Sequence, residues 1–283
     1  QVITPSRATG AQVIDGSLKF DDDSSNYLSR TFASGNRTTW TWSGWVKRTL
    51  ITQNNTPLMS CTNGENDNDY LVIRFAPGAT PDALCMSSYG TNFRVTDAFF
   101  RDTGWYHFVV ACDTTQSSNS DRFKVYVNGV QQTFGTESTI TQNTNLGFNQ
   151  AAEHRIGRVD SSYFDGSMSQ VYFIEGQQLG PENFGFTDPL TNNWKPKKYE
   201  GTFGTNGFYL PMDGNSPIGQ DQSGNGNNWT PVNFGGSVAL DNPNVSGARP
   251  ILNTTQGGTQ AATGAFGSKE NKTVTVTVAS KTG

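Results

Sequence analysis

Residues able to do acid–base, nucleophilic or metal chemistry are few in this sequence and poorly spaced for it. Histidine occurs only at His107 and His154, and cysteine only at Cys61, Cys85 and Cys112. No cysteine pair has the CxxC spacing of a zinc site, and an odd set permits at most one internal disulfide. Cys112 closes an apolar run and reads as a small core residue. His107 alternates with Trp105, Val109 and Ala111, which makes it a hydrogen-bonded, partly buried group on one sheet face. There is no Gly-x-Ser-x-Gly elbow, phosphate-binding glycine loop or HExxH helix. A retaining glycosidase needs two carboxyls about 5 Å apart. The nearest candidate is Glu65-Asn66-Asp67-Asn68-Asp69, which has no apolar residue between its acids and reads as a solvated loop. No enzyme is expected.

Binding chemistry has more material. Calcium takes oxygen ligands, and three places offer them: the turn Asp21-Asp22-Asp23, the Glu65–Asp69 loop, and Asp160 with Asp165. The last pair flanks a hairpin and is the preferred metal candidate, although Asp165 before Gly166 also suits a turn that bonds its own backbone. No other cofactor is expected. Sugars stack on aromatic faces and are fixed by Asn, Asp and Gln. Tyr89, Phe93, Tyr163, Trp194 and Trp229 lie in or near polar turns and are the candidate sugar-binding rings. The competing role is to cap the sandwich ends, because a chain that is 12% aromatic must bury most of its rings.

The elements that would position these residues are strands. Hydrophobic residues make up 34% of the 283, and 31 Gly and 12 Pro punctuate short alternating runs. Trp40–Lys47 has rings on both faces, Trp40 and Trp42 on one and Trp45 on the other. Further strands are read at Ser17–Phe20, Asn26–Ser29, Tyr70–Phe75, Ala83–Ser87, Asn92–Thr96, Trp105–Cys112 and Phe123–Val127. Asn128-Gly129 then turns the chain into Val130–Phe134 as a hairpin. In the closing strand, Gly166–Ile174, strict alternation puts Met168, Gln170, Tyr172 and Ile174 on one face. It puts Ser167, Ser169, Val171 and Phe173 on the other. One helical turn is expected, at Pro181–Phe184. The pattern is an antiparallel jelly-roll β-sandwich, all-β, with an extended C-terminal arm.

Net charge is −4 with no basic stripe, so no nucleic-acid partner is expected; the densest positive run is Lys195, Lys197 and Lys198. No apolar run reaches the roughly 20 residues of a membrane-spanning helix, and the opening QVITPSRATG lacks the pattern of a signal peptide. Three parts are expected: a sandwich at 12–186, a companion segment at 187–234, and an arm at 235–283. The companion packs on the sandwich through Trp194, Phe208, Tyr209 and Trp229. The Gly/Thr/Asn-rich arm, a linker to another domain or an extended segment laid on a partner, ends in the alternating strand Thr273–Val278, read as joining either a following domain or a sheet edge of a neighbouring subunit.

Several segments resemble the laminin-G-like, concanavalin-A-like jelly-roll family. They are Ser17–Asp21 with Tyr27-Leu28, Trp42–Lys47, Gly104–Val110, Val125–Val130, and Ile156-Gly157 followed by Phe164–Val171, in the family's order. A further resemblance is to virion structural proteins of marine bacteriophages of the cyanophage type. It rests on Tyr27–Thr31, Thr39–Arg48, Gly204–Leu210 and Asp221–Pro231. These resemblances imply a non-catalytic fibre, appendage or capsid-surface protein at the virion surface, facing the extracellular medium. Its implied partners are other virion proteins, further copies of itself and host-surface glycans, with no membrane partner. A calcium site at the sandwich rim is a family expectation. A free lectin-like module is the first alternative, and a glycoside hydrolase of the same fold the second.

Overall fold

The computed structural model describes residues 11–14, 16–51, 55–75 and 82–234. The expected arm and its terminal strand lie outside the described residues. In chain order the strands are β1 (Leu18–Phe20), β2 (Tyr27–Thr31), β3 (Thr39–Arg48), β4 (Thr56–Thr62), β5 (Tyr70–Phe75), β6 (Ala83–Ser87) and β7 (Asn92–Phe99). Then come β8 (Tyr106–Asp113), the helical turn α1 (Asn119–Arg122), β9 (Phe123–Val127), β10 (Val130–Gln131), β11 (Phe134–Glu137) and β12 (Glu153–Ile156). The last are β13 (Arg158–Val159), β14 (Ser162–Tyr163), β15 (Gly166–Glu175), β16 (Gly185–Thr187), β17 (Trp194–Pro196), β18 (Phe208–Leu210) and β19 (Thr230–Val232). A 3-10 turn occupies Pro181–Asn183, where Pro presets the first φ; α1 is a second turn that the sequence reading did not anticipate.

Two antiparallel sheets face each other. One runs β1-β15-β3-β8-β9-β10, with β18 also on β15; the other runs β11-β7-β6-β5-β4-β12-β2-β19. Alternation explains the layer between them. Trp40 and Trp42 of β3, Phe108 and Val110 of β8, Leu71 and Ile73 of β5 and Leu84 and Met86 of β6 turn inward and are buried together. Trp45 faces outward, as the alternation requires, and stacks on His107 with centroids 5.1 Å apart.

β15 departs from strict alternation. The register jumps between Ser169 and Tyr172, and Gln170 sits at φ +52°. This bulge inserts a residue and flips the faces beyond it. Met168, Val171 and Phe173 all reach the inner core, while Tyr172 and Ile174 pack on the outside with Val109, Phe184, Tyr199 and Tyr209. The expected grouping of Met168 with Tyr172 and Ile174 is therefore corrected. The bulge also splits an edge, since β1 pairs with Gly166–Met168 and β18 with Val171–Phe173.

β4 had no counterpart in the sequence reading. Its TPLMSCT does not alternate, and it carries Pro57 beside a register irregularity, the kind of place where a strand tolerates proline. Thr56 to Cys61 are all buried, so both faces of the strand are covered.

Candidate functional site

Tyr27 on β2 and Tyr70 on β5 each precede a buried leucine, Leu28 and Leu71. Alternation therefore turns both tyrosines to the outer side of the eight-stranded sheet. Over this side lies the β13–β14 hairpin, closed by Asp160 and Ser161, in which Arg158 pairs with Tyr163 and Val159 with Ser162. Asp160 takes φ +49°, a conformation that Asp tolerates better than most side chains. The chain reaches the hairpin through Gly157 at φ +82°, where a Cβ would stand 2.7 Å from the Phe20 ring. Ser60 Oγ donates to the Arg158 carbonyl (2.6 Å), and Asn55 Nδ2 donates to Ser162 Oγ (2.9 Å). These bonds tie the hairpin down on both sides.

Two tyrosine pairs flank its tip. On one side the Tyr70 hydroxyl donates to Asp160 Oδ2 (3.0 Å), and its ring meets Tyr89 edge-on at 5.9 Å. Burial, then the Asp160 charge, pushes the Tyr70 hydroxyl up to about 12, so it stays a donor at neutral pH. Tyr89 is 54% exposed. Its turn is held by Asp67, which accepts from the Gly90 N–H (3.2 Å) and the Thr91 hydroxyl (3.3 Å). On the other side the Arg158 guanidinium lies 4.7 Å over Tyr27 and 5.5 Å over Tyr163, whose rings are 6.3 Å apart. Half-exposed rings beside carboxylate, amide and guanidinium groups are the chemistry of sugar recognition.

The structure thus places Tyr89, Tyr163 and Asp160 around one hairpin and scatters the other candidates. Phe93 and Trp229 are 6% and 3% exposed and are corrected to core residues. Phe93 stacks on Phe123, and Trp229 packs against Phe208 and Phe32. Trp194, on β17 of the separate β16–β17 pair, is half-buried and stacks over His107 of β8 at 6.0 Å, on the other sheet from the hairpin. Tyr27, Tyr70 and Arg158 were missed. The two tyrosines had a signal, because each alternates with a leucine at a strand start, but Arg158 had none.

Asp160 and Asp165 have different partners. Asp160 answers Tyr70, whereas burial and then Asp22 raise the Asp165 carboxyl, with Lys19 opposing. Asp165 Oδ1 is buried with no hydrogen-bond partner. Asp21, Asp22 and Asp23 gather carboxylate oxygens within 4.8 Å of one another. A calcium ion would find hard oxygen donors there, and the arrangement links Asp165 to the acidic turn rather than to Asp160.

The remaining chemical groups are committed elsewhere. Trp194 Nε1 donates to His107 Nδ1 (3.0 Å), so Nε2 carries the proton and donates to Ser43 Oγ (2.9 Å). In that tautomer His107 cannot take the Ser43 proton. The Asn149 N–H donates to His154 Nε2 (3.0 Å), and Nδ1 donates to the Ala152 carbonyl (3.0 Å). Burial holds both imidazoles down at about 3. In the Glu65–Asp69 loop, Asn66 and then Arg37 hold the Asp69 carboxyl below the usual range, against partial burial, so it is ionised at neutral pH.

Among family models, that of the concanavalin A-like lectin/glucanases superfamily, laminin G type, matches residues 21–178, more than half of the chain. The chain belongs to this superfamily. Of solved structures, a putative carbohydrate-binding protein from Bacteroides ovatus is 18% identical with a TM-score of 0.51. That match covers 78% of this chain and 58% of that one, and at this identity the likeness is one of fold. A heptameric SAP-like pentraxin from Limulus polyphemus is 15% identical over 60% of this chain and 80% of its own, with a TM-score of 0.41. Domain 4 of AbnA, an arabinanase from Geobacillus stearothermophilus, is 19% identical over 50% and 63%, with a TM-score of 0.35. A search of curated proteins gives no match. The superfamily fold explains the layout: the sandwich frames the hairpin, and the site lies on the outside of one sheet.

Proposed function

We propose that this chain is a non-catalytic glycan-binding module of a bacteriophage particle, displayed at the virion surface as part of a fibre, appendage or capsid decoration. The observation that carries the binding reading is the hairpin with a tyrosine pair on each side, Asp160 at its tip and Arg158 on its first strand. Rings of this kind offer sugar-stacking area at low entropic cost, and the polar groups set orientation. The non-catalytic reading is supported by two histidines locked in neutral tautomers and by acids engaged in holding loops. The virion reading rests on the resemblance of Tyr27–Thr31, Thr39–Arg48 and Asp221–Pro231 to phage structural proteins. Self-assembly and contact with other virion proteins belong to the same reading.

A glycan array tests the binding reading. Wild-type protein is expected to bind, with loss of about tenfold in affinity or more for Tyr70→Ala with Tyr89→Ala, since each stacking ring supplies on the order of 1 kcal/mol. Undiminished binding in that variant moves the site elsewhere. Incubation with a polysaccharide panel is expected to release no sugar. Antibody labelling of particles tests the virion reading, and label found only on free protein overturns it.

A further inference from the structure

Arg158 stands apart from the other described arginines. Arg37, Arg48, Arg94, Arg101 and Arg155 each pair with a carboxylate, at Asp69, Asp82, Glu137, Asp82 and Glu153. Arg30, Arg74 and Arg122 pair with no acid but spend terminal nitrogens on Asn227, Asn55 and the Ile140 carbonyl. Arg158 has no acid among the described residues either. Its Nε donates to the Asp160 carbonyl (2.9 Å), while the Asp160 carboxylate turns away to Tyr70. Its two terminal nitrogens have no partner among the described residues, and neither is a buried orphan, so both open to solvent. The guanidinium is nevertheless held: Tyr27 and Tyr163 lie against it, and the Nε bond sets its direction. A long cationic side chain normally loses rotamer freedom on binding, and here much of that freedom is already gone. What remains is a planar two-nitrogen fork matching the two oxygens of a carboxylate.

We infer that Arg158 is the specificity-determining residue of the hairpin site, and that the site takes carboxylated sugars, uronic or sialic acids, with the carboxylate on Arg158 and the sugar ring against Tyr163. This inference rests on the glycan-binding reading and narrows it. The test is a glycan array with matched neutral, uronate-bearing, sialylated and sulfated members, followed by calorimetry on the best pair. Binding is expected to be confined to carboxylated members and to weaken as NaCl is raised. Arg158→Gln is expected to lose at least tenfold in affinity and most of the salt dependence. Arg158→Lys, which keeps the charge but not the fork, is expected to fall between. The uronate and sialate arms tell the two sources of carboxylate apart. Equal binding of neutral partners, unaffected by Arg158→Gln, overturns this inference and leaves the lectin reading standing. Sulfated members bound as tightly as carboxylated ones overturn the carboxylate assignment. No binding to any member removes the lectin reading, and the inference with it. An unchanged circular-dichroism spectrum and melting curve for Arg158→Gln separate lost recognition from lost fold.

Discussion

At the level of single residues, burial decides what each ionisable group can do. His107 and His154 are buried with both ring nitrogens occupied, and their folded values lie at about 3. An unfolded histidine titrates near about 6.5. Between those values the unfolded chain binds protons that the folded chain refuses. The stability from the neutral imidazoles is therefore fully present above about 6.5 and declines as pH falls towards 3, by up to about 1.4 kcal/mol per unit for each histidine. Urea midpoints from about pH 8 to about pH 5 should fall, starting before the carboxylates titrate, and a flat profile contradicts this. Arg48 is a second case. It and Asp82 are each 3% exposed and 3.0 Å apart, and Arg48 also donates to the Phe100 carbonyl. Arg48→Ala leaves the acid buried without this cation and is expected to cost about 3–5 kcal/mol in chemical denaturation.

Among the elements, the β13–β14 hairpin and the β15 bulge are where positive-φ residues redirect the chain. Gly157 is the entry to the hairpin, and its positive φ and closeness to the Phe20 ring leave no room for a side chain. Gly157→Ala should destabilise by about 1–3 kcal/mol and weaken glycan binding beyond what stability explains, because the hairpin must shift. Melting curves together with array titrations check both halves, and a variant with wild-type binding would detach Gly157 from the site. Most strands are legible in the sequence because β3, β5 and β8 carry their alternation openly. β4 is not, because it is buried on both sides, nor are the faces of β15, because the extra residue at Gln170 leaves no mark in a run of apolar and small residues.

Across the whole molecule, residues after 186 supply strands to both sheets. β18 extends β15, β19 pairs with β2, and Trp229 fills the core against Phe32 and Phe208. Trp229→Ala should cost about 3–5 kcal/mol, as for a large buried aromatic, and equilibrium unfolding measures it. Ending the chain at residue 186 removes Tyr199 and Tyr209 from the outer cluster with Val109, Tyr172 and Ile174. That truncated protein is expected to bind a hydrophobic dye and to self-associate, and a dye-silent monomer would show that the segment is dispensable to the fold.

The sequence by itself determined the layering. Side chains two residues apart share a face, so alternating runs with turn residues between them specify stacked antiparallel sheets, and the scarcity of histidine and cysteine narrowed the chemistry. It could also nominate rings in polar turns, and Tyr89 and Tyr163 were among them. Only the tertiary structure decided which rings stay accessible. Phe93 and Trp229 have turn-rich surroundings in sequence yet lie 6% and 3% exposed beneath other strands. Nor does spacing along the chain bring Tyr27, Tyr70 and Arg158 together, since they come from three strands whose meeting depends on how the hairpin folds back over the sheet. Exposure and convergence are properties of packing between distant segments, and local periodicity carries no information about either.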